Sequence, residues 1–197
     1  LVMGMLASLA LVRLGRFRGK MSFAGMITAP LVMPEVITGL SLLLLFVAME
    51  KSFGWPGGRG MLTIWIAHVT FSTAFVTVIL SSRLKEIDRS LEEAGMDLGA
   101  SPLKVFFVIT IPIITPALLA AWLLAFTLSL DDLVIASFVS GPGSTTLPMK
   151  VFSSVRLGIS PKINALASII IALVSLGVLT AGWIVRGWER KKTMGFS

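Results

Sequence analysis

Residues 90 to 112 read SLEEAGMDLGASPLKVFFVITIP, a polar segment with two helix starts and one helix stop that then runs into apolar sequence. Ser90 followed three residues later by Glu93 fits the S-x-x-E capping box, in which each side chain satisfies a free backbone amide at the helix start. A short helix begun there carries Leu91, Ala94 and Leu98 along one side. Gly99 then stops it, because glycine enters the left-handed conformation at a helix end without a Cβ penalty. Ser101 offers a second N-cap, with Pro102 at the favoured first helical position. The chain continues through Leu103 to Ile109, and from Val105 to Leu130 it holds no Lys, Arg, Asp or Glu. The pattern predicts a helix-turn-helix lying at a membrane surface and leading directly into a membrane span.

Working outward, other stretches have the same character. Gly60 to Ser82 and Ile163 to Val185 are free of charged residues, and Met21 to Met49 contains only Glu35, beside Pro30 and Pro34. Each is long enough to cross roughly 30 Å of hydrocarbon as a helix, so four spans are expected. Composition agrees: 55% of residues are apolar and 14% charged, and a mean hydropathy of +0.93 lies outside the range of soluble domains. Leu1 to Leu11 stops at Arg13, short of the roughly 20 residues a crossing needs. It reads as the end of a cut helix, and the N-terminus as truncated, with no charged n-region and cleavage site of a signal peptide in view.

Basic residues retained on the cytoplasmic side mark orientation. Arg13, Arg16, Arg18 and Lys20 form one cluster, Arg83, Lys85, Arg89 and Lys104 a second, and Arg186, Arg190, Lys191 and Lys192 a third. The loops between hold only Lys51 and Arg59, then Lys150, Arg156 and Lys162. The chain is thus expected to start outside and to end with a cytoplasmic C-terminus. The net charge of +7 sits on these juxtamembrane loops, which favours anionic lipid over nucleic acid as a neighbour. With no cysteine and a single histidine, His68, inside an apolar span, no metal site or hydrolytic triad is expected. His68 reads as a packing or hydrogen-bonding residue. Neither Gly54 to Gly60 nor Gly141 to Ser144 leads into the Gly-Lys-Ser/Thr of a phosphate-binding loop, so the chain is expected to be no enzyme and to bind no cofactor.

Intramembrane acids carry the remaining chemistry. Glu35 lies in one span, and Asp131 and Asp132 interrupt another. A carboxylate at the bilayer centre costs on the order of 3 kcal/mol, so such groups face a polar pathway or a partner. Acids in a dry channel suit a cationic solute, to which Trp122 and Phe126, with Trp65, would add cation-π contacts. A second reading places Asp131 and Asp132 at the start of a half-helix beginning at Leu133. Pro30, Pro34, Pro112 and Pro116 are candidate break points.

Glu93-Ala94-Gly95, then Gly99, Ile109 and Ile111-Pro112 match the EAA loop of importer permeases in the ATP-binding-cassette class. The family pattern has Ala where Gly95 stands and Leu where Ile111 stands; all spacings agree. The similarity extends from Thr28–Gly39 through Ser129–Gly143, Thr146–Met149 and Val151–Arg156 to Asn164–Ala167. Over essentially its whole length the chain resembles the polyamine permeases, the putrescine branch most of all. That resemblance implies an all-α, polytopic bundle of the type I importer fold, one permease domain over residues 1–197 with a cytoplasmic coupling loop at 86–112. It implies a six-helix subunit, of which this chain supplies helices two to six, in the bacterial inner membrane. It also implies a second permease, a dimer of ATPase subunits that bind ATP and magnesium, and a periplasmic binding protein that delivers the polyamine. Glu93, Ala94, Gly95, Gly99, Ile109 and Pro112 would dock the ATPase, and Glu35, Asp131, Asp132, Trp122 and Phe126 would line the pathway. Spermidine or another small organic cation is the nearest rival substrate. An ion-coupled secondary transporter with Glu35 as proton carrier, or a scaffold without transport, would leave either the docking loop or the three acids without a use.

Overall fold

The computed structural model describes residues 1–15, 17–156, 161, 164–165, 167–176 and 179. The described part is helical, and its long apolar segments became helices because a backbone in lipid can satisfy its amides only internally. In chain order they are α1 (Val2–Val12), α2 (Lys20–Val32), α3 (Glu35–Phe53), α4 (Met61–Glu86), α5 (Arg89–Asp97), α6 (Pro102–Val105), a π-helical turn (Phe106–Thr110), α7 (Ile111–Asp131), α8 (Val134–Val139) and α9 (Leu147–Arg156). Among the described residues, three helical stretches are long and apolar enough to cross a membrane: Glu35–Phe53, Met61–Glu86 and Pro102–Asp131. The last joins α6, the π turn and α7 into one rod of 30 residues. Of the fourth expected span, Ile163 to Val185, only 164–165, 167–176 and 179 are described, and the third basic cluster lies outside the described residues.

The stretch from Met21 to Met49 is not one helix, which corrects the expectation of a single span there. Pro34 has no amide proton to donate and pushes its predecessor out of the helical region; Met33 is accordingly extended, at φ −78° and ψ 137°. Pro34 becomes the N-cap of α3, and Glu35 its first helical residue. There its charge meets the positive end of the helix dipole instead of standing in mid-span.

The chain divides into two compact units, Leu1–Met149 and Lys150–Ser197. In the first, α4 is the central post. Its C-terminal half packs with α1 and α7 around Met5, Val76, Leu80, Leu84, Ile87, Ile114 and Ala121. Its N-terminal half packs with α3 and α8 around Phe46, Ile64, Ala67, Phe71, Ile135 and Val139. Small residues set the spacing, as they do between membrane helices generally. A Cβ on Gly4 would collide with the Val76 side chain, and one on Gly39 would come within 2.7 Å of the Phe138 ring and 3.3 Å of the Ile135 Cα. Gly4→Leu is therefore expected to destabilise the α1–α4 contact by about 1–3 kcal/mol, the usual range for overpacking, readable as a lower melting temperature of the purified membrane protein. Leu40, Leu44 and Leu45 on α3 and Leu119, Leu123 and Leu130 on α7 remain exposed, a surface suited to lipid or a companion subunit. In the second unit, the Arg156 guanidinium lies 5.2 Å from the Phe152 ring centre, and Ala167–Leu176 is a short apolar helix.

Candidate functional site

The knob at residues 88–105 folds from local signals. Asp88 is the N-cap of α5, its carboxylate accepting the Ser90 amide at 3.0 Å. The expected cap at Ser90 is thus displaced by two residues, and Glu93 completes no capping box. Asp and Ser cap about equally well, and starting at Asp88 lets the helix gain the Arg89 turn as well. The Ser90 amide holds the Asp88 carboxyl below its ordinary range. Since the folded-state value is depressed, this cap is present at neutral pH and is lost as acid takes the pH down through that value. At the other end the Gly99 amide donates to Met96 and the Ala100 amide to Gly95, with Gly99 at φ +85°. This is the Schellman arrangement, and it demands a left-handed residue. Ser101 then caps α6, accepting the Lys104 amide at 3.4 Å with Pro102 at the first position, as the sequence predicts.

The returning chain closes on Gly95, which is buried. A Cβ there would sit 2.7 Å from Ile109 Cδ1 and 3.2 Å from Val105 Cγ2. Gly95 and Ile109 therefore hold the two helices of the knob together, while Glu93, Ala94 and Gly99 are exposed and Leu98 and Leu103 are 89% and 71% exposed. Pro112 is exposed one residue into α7. The nearest clashing atom at Gly95 is the tip of a flexible side chain that can give way, so Gly95→Ala is expected to destabilise by about 1 kcal/mol, the low end of overpacking. Gly95→Val is expected to separate the two helices, and melting curves of both variants distinguish these outcomes.

Glu92, next to the motif glutamate, points inward. Its Oε1 accepts from Arg13 Nη2 at 3.0 Å and from the Thr110 hydroxyl at 2.9 Å, while Arg89 Nη2 donates to the Val12 carbonyl at 3.0 Å. These contacts place Arg13 and Arg89 at the same end of the first unit.

The acids separate into different environments. Asp132 ends α7, and its side chain is 7% exposed. Its oxygens accept the Ile135 and Ala136 amides at 3.1 and 2.7 Å, so it caps α8 as the half-helix reading has it. It also meets His68 Nε2 at 3.0 Å, while His68 Nδ1 lies 2.8 Å from the Ser129 hydroxyl. A carboxylate only accepts, so Nε2 carries the proton, and in the neutral ring Nδ1 accepts from Ser129. His68 is thus the hydrogen-bonding residue expected, with partners invisible to helical spacing because they lie on another helix. Asp131 and Glu35 are exposed. Glu35 precedes Gly39, which meets Ile135 and Phe138 of α8, by four residues, and Asp131 is the last residue of α7 before the break to α8. Trp122 and Phe126 stack at 5.6 Å on α7. Asp131 lies nine residues beyond Trp122, about two and a half turns, so it projects from the other side of that helix. Trp65 is 63% exposed.

A knob capped at both ends and tied to a helical membrane bundle is matched by a family model. Residues 1–193 match the binding-protein-dependent transport system inner membrane component. The chain belongs to this family. It is accordingly a membrane permease subunit with the fold of importers of the ATP-binding-cassette class. It is 66% identical over 191 residues to the putrescine transport system permease protein PotI of Escherichia coli, covering 97% of this chain and 68% of that one. The spermidine/putrescine transport system permease protein PotC of Escherichia coli is 40% identical over 192 residues, covering 98% of this permease and 70% of that protein. A homologue of the latter in Mycoplasma pneumoniae is 36% identical over 174 residues, 88% of this permease and 59% of that protein.

Proposed function

We propose that this permease passes a polyamine, putrescine first, into the cytoplasm, driven by ATP that a separate ATPase hydrolyses. The observation that carries the substrate is the 66% identity to a putrescine permease against 40% to a spermidine/putrescine permease. In this reading residues 1–197 form one permease domain, and 86–112 form its coupling loop. The ATPase dimer seats on the exposed side of α5 and α6, with Glu93, Ala94, Leu98 and Leu103 toward it. Gly95, Gly99, Ile109 and Pro112 hold that surface at a fixed angle to the spanning rod. ATP and magnesium belong to the ATPase. A second permease covers the exposed apolar faces, a periplasmic binding protein delivers the diamine, and the knob and the C-terminus lie in the cytoplasm.

Closure of the ATPase dimer would push α5, and a stiff bundle would turn that push into opening of an outward cavity. Glu35 and Asp131 are proposed to face the diamine, where a carboxylate replaces part of the hydration an ammonium gives up. Trp122 and Phe126, stacked on the opposite side of α7 from Asp131, are not assigned to that same contact. Asp132 would serve the pathway by fixing the α7–α8 break beside Asp131.

The test is labelled-putrescine uptake in cells lacking their own polyamine permeases, using the full-length gene with its companion subunits and spermidine as competitor. Uptake that depends on ATP, resists excess spermidine and falls about tenfold in Asp131→Asn, the loss of about 1.4 kcal/mol, supports the assignment. Uptake abolished by spermidine would move the substrate to the larger polyamine, and no uptake of either would sink the polyamine reading.

A further inference from the structure

We infer that Glu92 is a positioning residue that carries displacement of α5 into the membrane helices. The inference rests on the proposed seating of an ATPase on α5. Glu92 and Glu93 are adjacent on a helix and so project about 100° apart. Glu93 is exposed, whereas the Glu92 and Arg13 side chains are only 18% and 17% exposed. One Glu92 oxygen gathers two donors from different elements: Arg13 at the C-terminal end of α1, and Thr110 where the π turn passes into α7. Thr110 is 2% exposed, and π turns mark places where a helix changes register.

Charge-assisted hydrogen bonds are short, directional and stiff, more so away from bulk water. The Arg13 Nε is buried and has no partner among the described residues, so the guanidinium is held to the knob through Glu92. Arg89, on the Val12 carbonyl, gives α5 a second hold on the same end of α1. From there α1 bears on α4 at the tight Gly4–Val76 contact. A push on α5 therefore has two outlets from one carboxylate, one into α1 and α4 and one into α7. Apolar packing alone would let α5 slide. The Glu92 carboxylate ties its motion to both helices.

The experiment uses the full transporter in proteoliposomes and reads ATP hydrolysed per putrescine imported. Glu92→Ala is expected to retain the ATPase on purification while that ratio rises about tenfold, within the usual span of coupling between linked sites. Thr110→Val, which removes one of the two donors, should raise it less, and the exchange Arg13→Glu with Glu92→Arg should bring it back toward wild type. A purely structural role would reduce the amount of assembled transporter and leave the ratio of the remainder unchanged; that result overturns the inference. If Glu92→Ala does not accumulate, Glu92→Gln keeps an acceptor for Thr110 without the charge for Arg13, and an unchanged ratio there overturns it equally. Loss of the ATPase from Glu92→Ala would make Glu92 part of the docking face and also overturn it. Glu93→Ala and Leu98→Asp report on docking itself: an ATPase that stays bound and coupled in both refutes the seating of the ATPase on α5, whatever Glu92 does.

Discussion

Asp132→Ala is expected to destabilise the permease by about 3 kcal/mol, since each buried donor left without a partner costs about 1–3 kcal/mol. The carboxylate is nearly sealed from solvent and serves three donors at once, two backbone amides of α8 and His68. Its removal leaves all three short of a partner in apolar surroundings, where an unmade hydrogen bond costs most. Asp132→Asn keeps oxygen for an amide but loses the charge, and is expected to cost about 1–2 kcal/mol. His68→Ala should resemble Asp132→Asn, and the double variant should fall short of the sum because the two residues share one interaction. Melting of the detergent-purified protein checks all four values.

Gly99→Val carries the second large effect. At φ +85° a branched side chain meets the following carbonyl, at a cost of about 1–2 kcal/mol for the residue alone. The helix escapes that cost by abandoning the Schellman turn, which changes the angle between α5 and α6. Putrescine uptake is expected to fall about tenfold or more, a factor equivalent to ~1.4 kcal/mol of lost interaction, while the protein still inserts. Gly99→Asn is expected to keep most of the uptake, since Asn enters the left-handed region more readily than other residues. Uptake measured beside membrane abundance separates misassembly from loss of coupling.

Local features of this fold were legible in the sequence, and contacts between distant residues were not. Gly99, Ser101 and Pro102 announce the turn because caps act over two or three residues. Charge-free runs announce the spans because the bilayer penalises charge wherever the chain goes. Asp88 and Ser90 compete for one cap with nearly equal strength, so the choice fell to packing of the whole knob. Pro34 stands out as a candidate break point, but the apolar run continues on both sides of it, so the stretch still reads as one span. Arg13 lies 79 residues from Glu92 and His68 64 residues from Asp132. No periodicity links such pairs; only the packing of α1 and α7 on α4 brings them together. A doublet such as Glu92–Glu93 offers one signal in retrospect, since adjacent acids on a helix face different surroundings.

The most direct test of coupling through α5 uses the absence of cysteine from the chain. A single Leu98→Cys, at a position 89% exposed, is treated with a short thiol-to-amine cross-linker in membranes holding the complete transporter. The account predicts a cross-link to the ATPase whose yield changes when ATP is added, and none from Gly57→Cys in the loop before α4. A cross-link from Gly57→Cys with none from Leu98→Cys would contradict both the docking surface and the orientation of the bundle.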